Sequence, residues 1–280
     1  VTLWGDVLAP HGDEFWLATL IELAQALAIN DRLVRTTAFR LSQEGWLTAR
    51  RLGRQSRYRL TPDGERRVVR ADARIYLRGN RDWDGKWTLL LFEPSLTGSR
   101  YLALCDELRW QGFAEFAPRL YGHPAGQGLA VSEILASTRT RAEVTLFQAS
   151  AEDAFGKAAL TTLVSRSFEL AALARRYLTF IDDFAPALEN CRELQDIAAF
   201  ALRVRLVHAY RRVLLHDPQL PHALLPPEWP GHRAFNLARA LYGGVIEASE
   251  RWIEGVLQGD ADAKRARLRL AERFPITQAA

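Results

Sequence analysis

The sequence holds 280 residues, 48% of them hydrophobic, 10% aromatic and 25% charged, with a formal net charge of +4. A chain of that size builds two or three domains with real cores. No apolar run approaches the roughly 20 residues needed to span a bilayer, and no basic, apolar, small-residue leader marks secretion. A cytoplasmic globular protein with no membrane partner is therefore expected.

Cys105 and Cys191 are isolated, with no Cys-x-x-Cys spacing. They provide neither a disulfide framework nor a zinc site and are expected as buried small hydrophobes. Methionine is absent, and VTLWGDVLAP reads as the later part of a helix ended by Pro10, so the native start is expected to lie upstream. Arginine outnumbers lysine 34 to 3, a ratio ascribed to genome composition.

Charge placement says more than total charge. Residues 1 to 80 carry 13 Lys+Arg against 9 Asp+Glu, whereas residues 81 to 280 carry 24 against 24. Between Glu44 and Asp63 there is no acid but there are five arginines. A basic stripe confined to one module is the electrostatic footprint of a phosphate-backbone partner.

In chain order, Glu14 to Leu27 (EFWLATLIELAQAL) reads as an amphipathic helix. A short link leads to NDRLVRTTAFRLSQEG, where Asn30 is a good N-cap, Asp31 suits the positive helix start and Gly45 is the expected left-handed terminator. Val34, Ala38 and Leu41 fall on one stripe of this helix, with Arg32, Arg35, Thr36, Phe39, Arg40 and Gln43 opposite. WLTARRLGRQSRYRL then alternates as two strands about Gly53, with Trp46, Tyr58 and Leu60 inward, Arg50, Arg57 and Arg59 outward and Arg54 at the tip. Helix, helix and basic hairpin together form the layout of a winged helix-turn-helix reading head. Thr61 caps a charged connecting helix to about Leu77, and Gly79-Asn80 marks a boundary.

The next segment opens with a buried strand, Lys86 to Phe92. It continues with a helix from about Ser99 to Trp110, a strand from about Phe113 to Tyr121, and AVSEILAS, ambiguous between helix and strand. RAEVTLFQAS reads as a further strand, and one long helix covers roughly Leu160 to Phe184. This alternation predicts an α+β sandwich of ferredoxin-like type. From Pro186 onward no strand signal occurs; three helices are expected, around Cys191 to His216, Phe235 to Gln258 and Ala261 to Phe274. The intervening Pro-rich HDPQLPHALLPPEWPG is too apolar for a free linker and is expected to pack. Expected divisions are thus 1–61, 62–80, 81–185 and 186–280.

VTLWGDVL, LVRTTAFRLSQEGWL, WDGKWTLLLFE and LRVRLVHAYRRVLLHDPQLPHALLPPEWPG together resemble the PaaX family, bacterial repressors of phenylacetic acid degradation operons. The last of these is the most specific, and the four cover all three segments. The resemblance implies a winged-helix N-terminal domain, a middle domain similar to the Cas2 fold, a helical C-terminal domain, and release from DNA by phenylacetyl-CoA. It places the recognition helix at Asn30 to Glu44 and the wing at Trp46 to Leu60.

Other chemistry finds little support. A Cas2-like nuclease would carry an acid at the end of its first strand, where Phe92-Glu93-Pro94 offers one glutamate without a second acid at useful spacing. His208, His216, His222 and His232 are separated by eight, six and ten residues and lack an acidic or cysteine partner at ligand spacing, so no metal is expected. Neither a Gly-x-Ser-x-Gly elbow nor a phosphate-binding Gly-x-x-x-x-Gly-Lys loop occurs. No enzyme activity and no cofactor are expected. Arg205, His208 and Arg212 share a helical face, with Arg203 and Tyr210 toward the other side; they suit the phosphates of a CoA effector or a structural polar network.

The reading is a homodimeric repressor that binds double-stranded operator DNA and is released by an acyl-CoA. Arg32, Arg35, Thr36 and Arg40 would face the major groove, and Arg50, Arg51, Arg54 and Arg57 would hold phosphates or the minor groove. Two rivals stay open: a CoA-handling or nucleic-acid enzyme carrying such a head, and an architectural DNA-binding protein without an effector.

Overall fold

A computed structural model describes residues 1–77, 83–124, 128–150, 153–258 and 262–274. Its contacts divide the chain into two units. One gathers Val1–Arg78, Leu178–Leu214 and Gly231–Ala280, and the other Gly79–Tyr177 and Leu215–Pro230. The expected boundary at Gly79-Asn80 lies outside the described residues.

The first unit begins with a wide-turned helix, Leu3–Leu8, that runs on as Ala9–His11. The helix thus ends at His11, one residue beyond the expected end at Pro10. The helix expected from Glu14 is also shorter at its start: Glu14–Trp16 is a strand, β1, and the helix occupies Leu17–Gln25. Aromatic Phe15 and Trp16 suit a pleated surface, and pairing of β1 with β3 (Gln55–Leu60) in the register Phe15↔Tyr58 buries Phe15 completely.

The helix Asp31–Gln43 starts where expected, because the Asn30 side chain accepts from the Leu33 N–H at 2.9 Å. It ends at Gly45, whose φ of +73° only glycine adopts at low cost. Strand β2 (Leu47–Leu52) pairs with β3, and the pair Leu52↔Gln55 leaves Gly53-Arg54 as a two-residue turn. The sheet order is β1-β3-β2. The helix Pro62–Tyr76 is capped by Thr61, whose hydroxyl accepts from the Gly64 N–H at 2.9 Å. Gly64 is a close-approach position: a Cβ there would stand 2.3 Å from the Trp46 carbonyl oxygen.

The helices Asp196–Leu214, Gly231–Leu257 and Ala263–Ala271 complete this unit. Phe200, Val204, Ile253 and Leu257 share one apolar cluster with Trp4, Leu8, Phe15, Leu23 and Leu41. The segment read from sequence as a separate C-terminal domain therefore has a common core with the N-terminal elements.

In the second unit, β4 (Lys86–Phe92), β5 (Ala114–Ala117), β6 (Leu120–His123) and β7 (Val144–Ser150) form an antiparallel sheet in the order β5-β6-β4-β7. With the helices Gly98–Trp110 and Gly128–Ser137 between them, the chain runs β-α-β-β-α-β, the expected connectivity. The helix at Gly128–Ser137 resolves the ambiguity of AVSEILAS. Leu90, Phe92, Leu104, Leu108, Tyr121 and Ile134 form the core.

Two elements differ from expectation. The strand predicted over Phe113 to Tyr121 is a hairpin, broken by Pro118 and by Arg119 at φ +66°. The helix predicted over Leu160 to Phe184 is two, Asp153–Ser167 and Leu170–Phe184, separated at Glu169 with φ +48°. Both breaks are left-handed conformations at non-glycine residues, which periodicity does not signal. The Pro-rich segment packs as expected: Leu220 and Trp229 are buried, and Trp229 meets Tyr177 edge-on with ring centroids 5.9 Å apart. Cys105 and Cys191 are both buried and free.

Candidate nucleic-acid interface

The helix Asp31–Gln43 buries only Ala38 and Leu41 and leaves Val34 half-buried. Their spacing of four and three turns the remaining positions outward. Arg32, Arg35, Thr36, Arg40 and Gln43 are all exposed, as are Arg50, Arg51 and Arg54 on the hairpin. Of these arginines only Arg40 has a carboxylate partner among the described residues, Glu44 at 3.6 Å on an open surface. Such a pair is worth at most about 1 kcal/mol. The Arg51 Nε donates to the Gly53 carbonyl at 3.1 Å, which steadies the turn that presents Arg54.

Arg57 is placed differently. Its side chain is 24% exposed, lies 3.8 Å from Glu14, and stacks over the Trp16 ring at 4.8 Å. Strand β1 causes this: β3 becomes the central strand, so Arg57 has Trp16 on one side and Arg50 on the other. Trp46 also departs from the expected alternation. Leu47, 4% exposed, is the inward residue of β2, while Trp46 precedes the strand, packs at the edge of the core and carries the Arg67 guanidinium at 4.9 Å.

Behind the helix Asp31–Gln43 lies a cavity of about 570 Å³. Val34, Ala38 and Leu41 of the exposed-faced helix form one wall, and Arg205, His208 and Arg211 of Asp196–Leu214 line another. Arg205 and His208 are thus brought together, but Arg212 does not line the cavity and Arg211 does. The Arg211 Nε is buried without a hydrogen-bond partner among the described residues, and burial lowers the pKa of this guanidinium. Burial, followed by the charges of Arg211 and Arg212, holds His208 below the usual histidine range. The cavity is apolar with cationic groups on one side, which fits an amphipathic anion.

The residues that sequence reasoning missed form a buried polar network joining the first helix to Pro62–Tyr76, Asp196–Leu214 and Gly231–Leu257. Arg203 is fully buried. Its Nε donates to the Asp6 carboxylate at 2.9 Å, its Nη1 donates to Ser249 at 3.3 Å and to Glu250, and its Nη2 donates to the Asp6 carbonyl at 2.9 Å. Asp6 also accepts from Tyr76 at 2.7 Å, Tyr242 at 3.1 Å and Arg273 at 2.9 Å. Glu250 in turn pairs with buried His11 at 2.8 Å. Burial disfavours the Arg203 charge, yet Asp6, Tyr242 and Glu250 raise its pKa above the arginine range. Burial pushes the Tyr242 hydroxyl up to about 12, so it remains a donor. The only prior signal was an acid in an apolar helix, LWGDVL, and an arginine in another, LRVRL.

Among the described residues no cluster of three His, Cys, Asp or Glu is arranged to hold a metal, and no helix is long and apolar enough to cross a membrane. Glu93 is exposed at the end of β4, and its N–H donates to the Glu143 carbonyl at 2.8 Å.

Comparison with known proteins covers most of the chain. Residues 1–64 match the PaaX-like protein model, 80–161 the PaaX protein central Cas2-like domain, and 168–255 the PaaX-like protein C-terminal domain. The chain is 39% identical over 252 residues to the transcriptional repressor PaaX of Escherichia coli (strain K12), covering 89% of this chain and 79% of that protein. A solved structure, the uncharacterized protein Rv0674 from Mycobacterium tuberculosis, shares the fold with a TM-score of 0.54 at 23% identity, over 85% of this chain and 90% of that one. Matched in all three segments and across most of a curated relative, the chain belongs to the PaaX family.

Proposed function

We propose that this protein is a DNA-binding transcriptional repressor of aromatic catabolism whose reading head is a winged helix: the helix Asp31–Gln43 with the hairpin β2-β3. The carrying observation is that Arg32, Arg35, Arg50 and Arg54, on the helix and its hairpin, stand exposed without a carboxylate partner among the described residues. Arginines left without protein partners on a helix of groove width suit base edges and phosphates. The name of the Escherichia coli relative supports repression.

An acyl-CoA such as phenylacetyl-CoA is the proposed effector. The cavity beside Arg205, His208 and Arg211 supports this, since its other wall is the inner face of the reading helix. A ligand that prefers the DNA-free arrangement must bind less tightly when operator is bound, by the same factor that it weakens operator binding. One such helix spans too few base pairs for genomic specificity, so a homodimer on a two-part operator is proposed.

An operator mobility-shift titration with and without phenylacetyl-CoA tests the reading, with sedimentation of the same protein. A dimer that binds duplex DNA in a salt-dependent way and is released by the thioester is the expected outcome. Binding that ignores the thioester would reduce the protein to an architectural role, and hydrolysis of the thioester would make it an enzyme.

A further inference from the structure

Phe39 is 64% exposed, in the middle of a helix face otherwise made of Arg32, Arg35, Thr36, Arg40 and Gln43. Within its own fold this ring has no packing role: the core-facing positions are Ala38 and Leu41, and Phe39 belongs neither to the apolar cluster nor to the cavity wall. Arg32, Thr36, Phe39 and Gln43 follow one another at spacings of four, three and four, so they rise along one stripe. Covering a large apolar side chain that stands in water among charged neighbours is favourable, so the ring is a contact available to a partner.

The partner's chemistry follows from the neighbours. Unpaired arginines on the same face demand a polyanion, and the stripe has the width of a helix that enters a major groove. Within that groove the protruding apolar group is the thymine 5-methyl, where cytosine presents only a C5–H. We propose that Phe39 is a specificity-determining residue that reads a thymine methyl one helical turn beyond the bases approached by Arg35 and Thr36. This inference rests on the assignment of Asp31–Gln43 as the DNA-reading helix.

A duplex selected by the intact protein from a random library supplies the probe. Each thymine is replaced singly by deoxyuridine, which deletes the methyl and nothing else. Losing one buried methyl should lower wild-type affinity about fourfold at the position that Phe39 reads. Phe39→Ala should bind the thymine and uracil duplexes equally, with little change in melting temperature because the ring lies outside the apolar core. Should the alanine variant bind too weakly to compare, Phe39→Leu, which retains an apolar contact, supplies the thymine-to-uracil ratio, expected between one and that of wild type. A wild type indifferent to every replacement, or a variant that keeps the full wild-type preference, would overturn the assignment of Phe39 while leaving DNA binding intact. Failure of the library to yield any preferred duplex would overturn the reading head itself.

Discussion

Two sets of arginines in this protein are put to opposite uses. Arg203 and Arg273 are buried in the shared core of the N-terminal and C-terminal helices, each with several oxygen acceptors, Asp6 common to both. Arg32, Arg35, Arg50 and Arg54 stand in water with no carboxylate partner among the described residues. A guanidinium removed from water must find its counter-charge inside the molecule, because desolvation costs several kcal/mol per ion. One left in water needs no internal partner and remains available to an external anion. The same residue type is therefore scaffold in one place and solvent-facing in the other, and burial separates the two.

The sharpest way to break this contrast is at Asp6. Asp6→Ala leaves Arg203 and Arg273 buried without their common carboxylate, and unfolding in denaturant should show a loss of about 3 to 5 kcal/mol. A loss under about 1 kcal/mol would mean that the buried arginines are not held as described.

Arg35→Ala should do the reverse. Its melting curve should match wild type within about 0.5 kcal/mol, while operator affinity falls by about 1 to 3 kcal/mol with relaxed base preference. Arg54→Ala should weaken binding to all sequences alike and reduce the salt slope by about 1. Wild-type affinity at moderate salt in both variants would misplace the reading face.

A fourth variant probes the joint between scaffold and surface. The Cβ of Gly64→Ala would stand 2.3 Å from the Trp46 carbonyl oxygen, which is backbone and cannot rotate away. Calorimetry should register about 1 to 3 kcal/mol of destabilisation; a neutral result would show that the helix Pro62–Tyr76 shifts freely against the hairpin.

The smallest effect is one of pH. Burial pushes the Asp72 carboxyl, 3.2 Å from Arg273, up to about 6. A carboxyl raised above its unfolded value of about 3.9 binds its proton more tightly in the folded protein. Its contribution to stability is full below about pH 4 and is lost as pH rises through about 6. Asp72→Asn should flatten that interval of the stability curve, whereas an unchanged slope would assign the titration to another group. Asp13, held below the usual range by its hydrogen bond from Arg265, contributes with the opposite sign.

Sequence alone determined the elements whose signals are local. Asn30 capping Leu33, Gly45 at positive φ, Thr61 capping Gly64 and the two-residue turn at Gly53-Arg54 are interactions within a few residues, and each was legible from residue type and spacing. The outward face of Arg32, Arg35, Thr36 and Arg40 was legible for the same reason, because a 3.6-residue period needs no knowledge of the partner. Only the tertiary structure decided the rest. Strand β1 exists because β3 lies beside it, and that neighbour turns Arg57 from a surface cation into one stacked over Trp16. Arg203 resembled its neighbours Arg205 and Arg212 in sequence, and it became the buried centre of a network because Asp6, 197 residues away, comes within 2.9 Å. Arg211, and not the Arg212 that was grouped with Arg205 and His208 by spacing, lines the cavity beside them, through the rotational setting of its helix against the N-terminal elements. Contacts at such separation depend on how whole elements pack, and periodicity along the chain carries no record of which faces will meet.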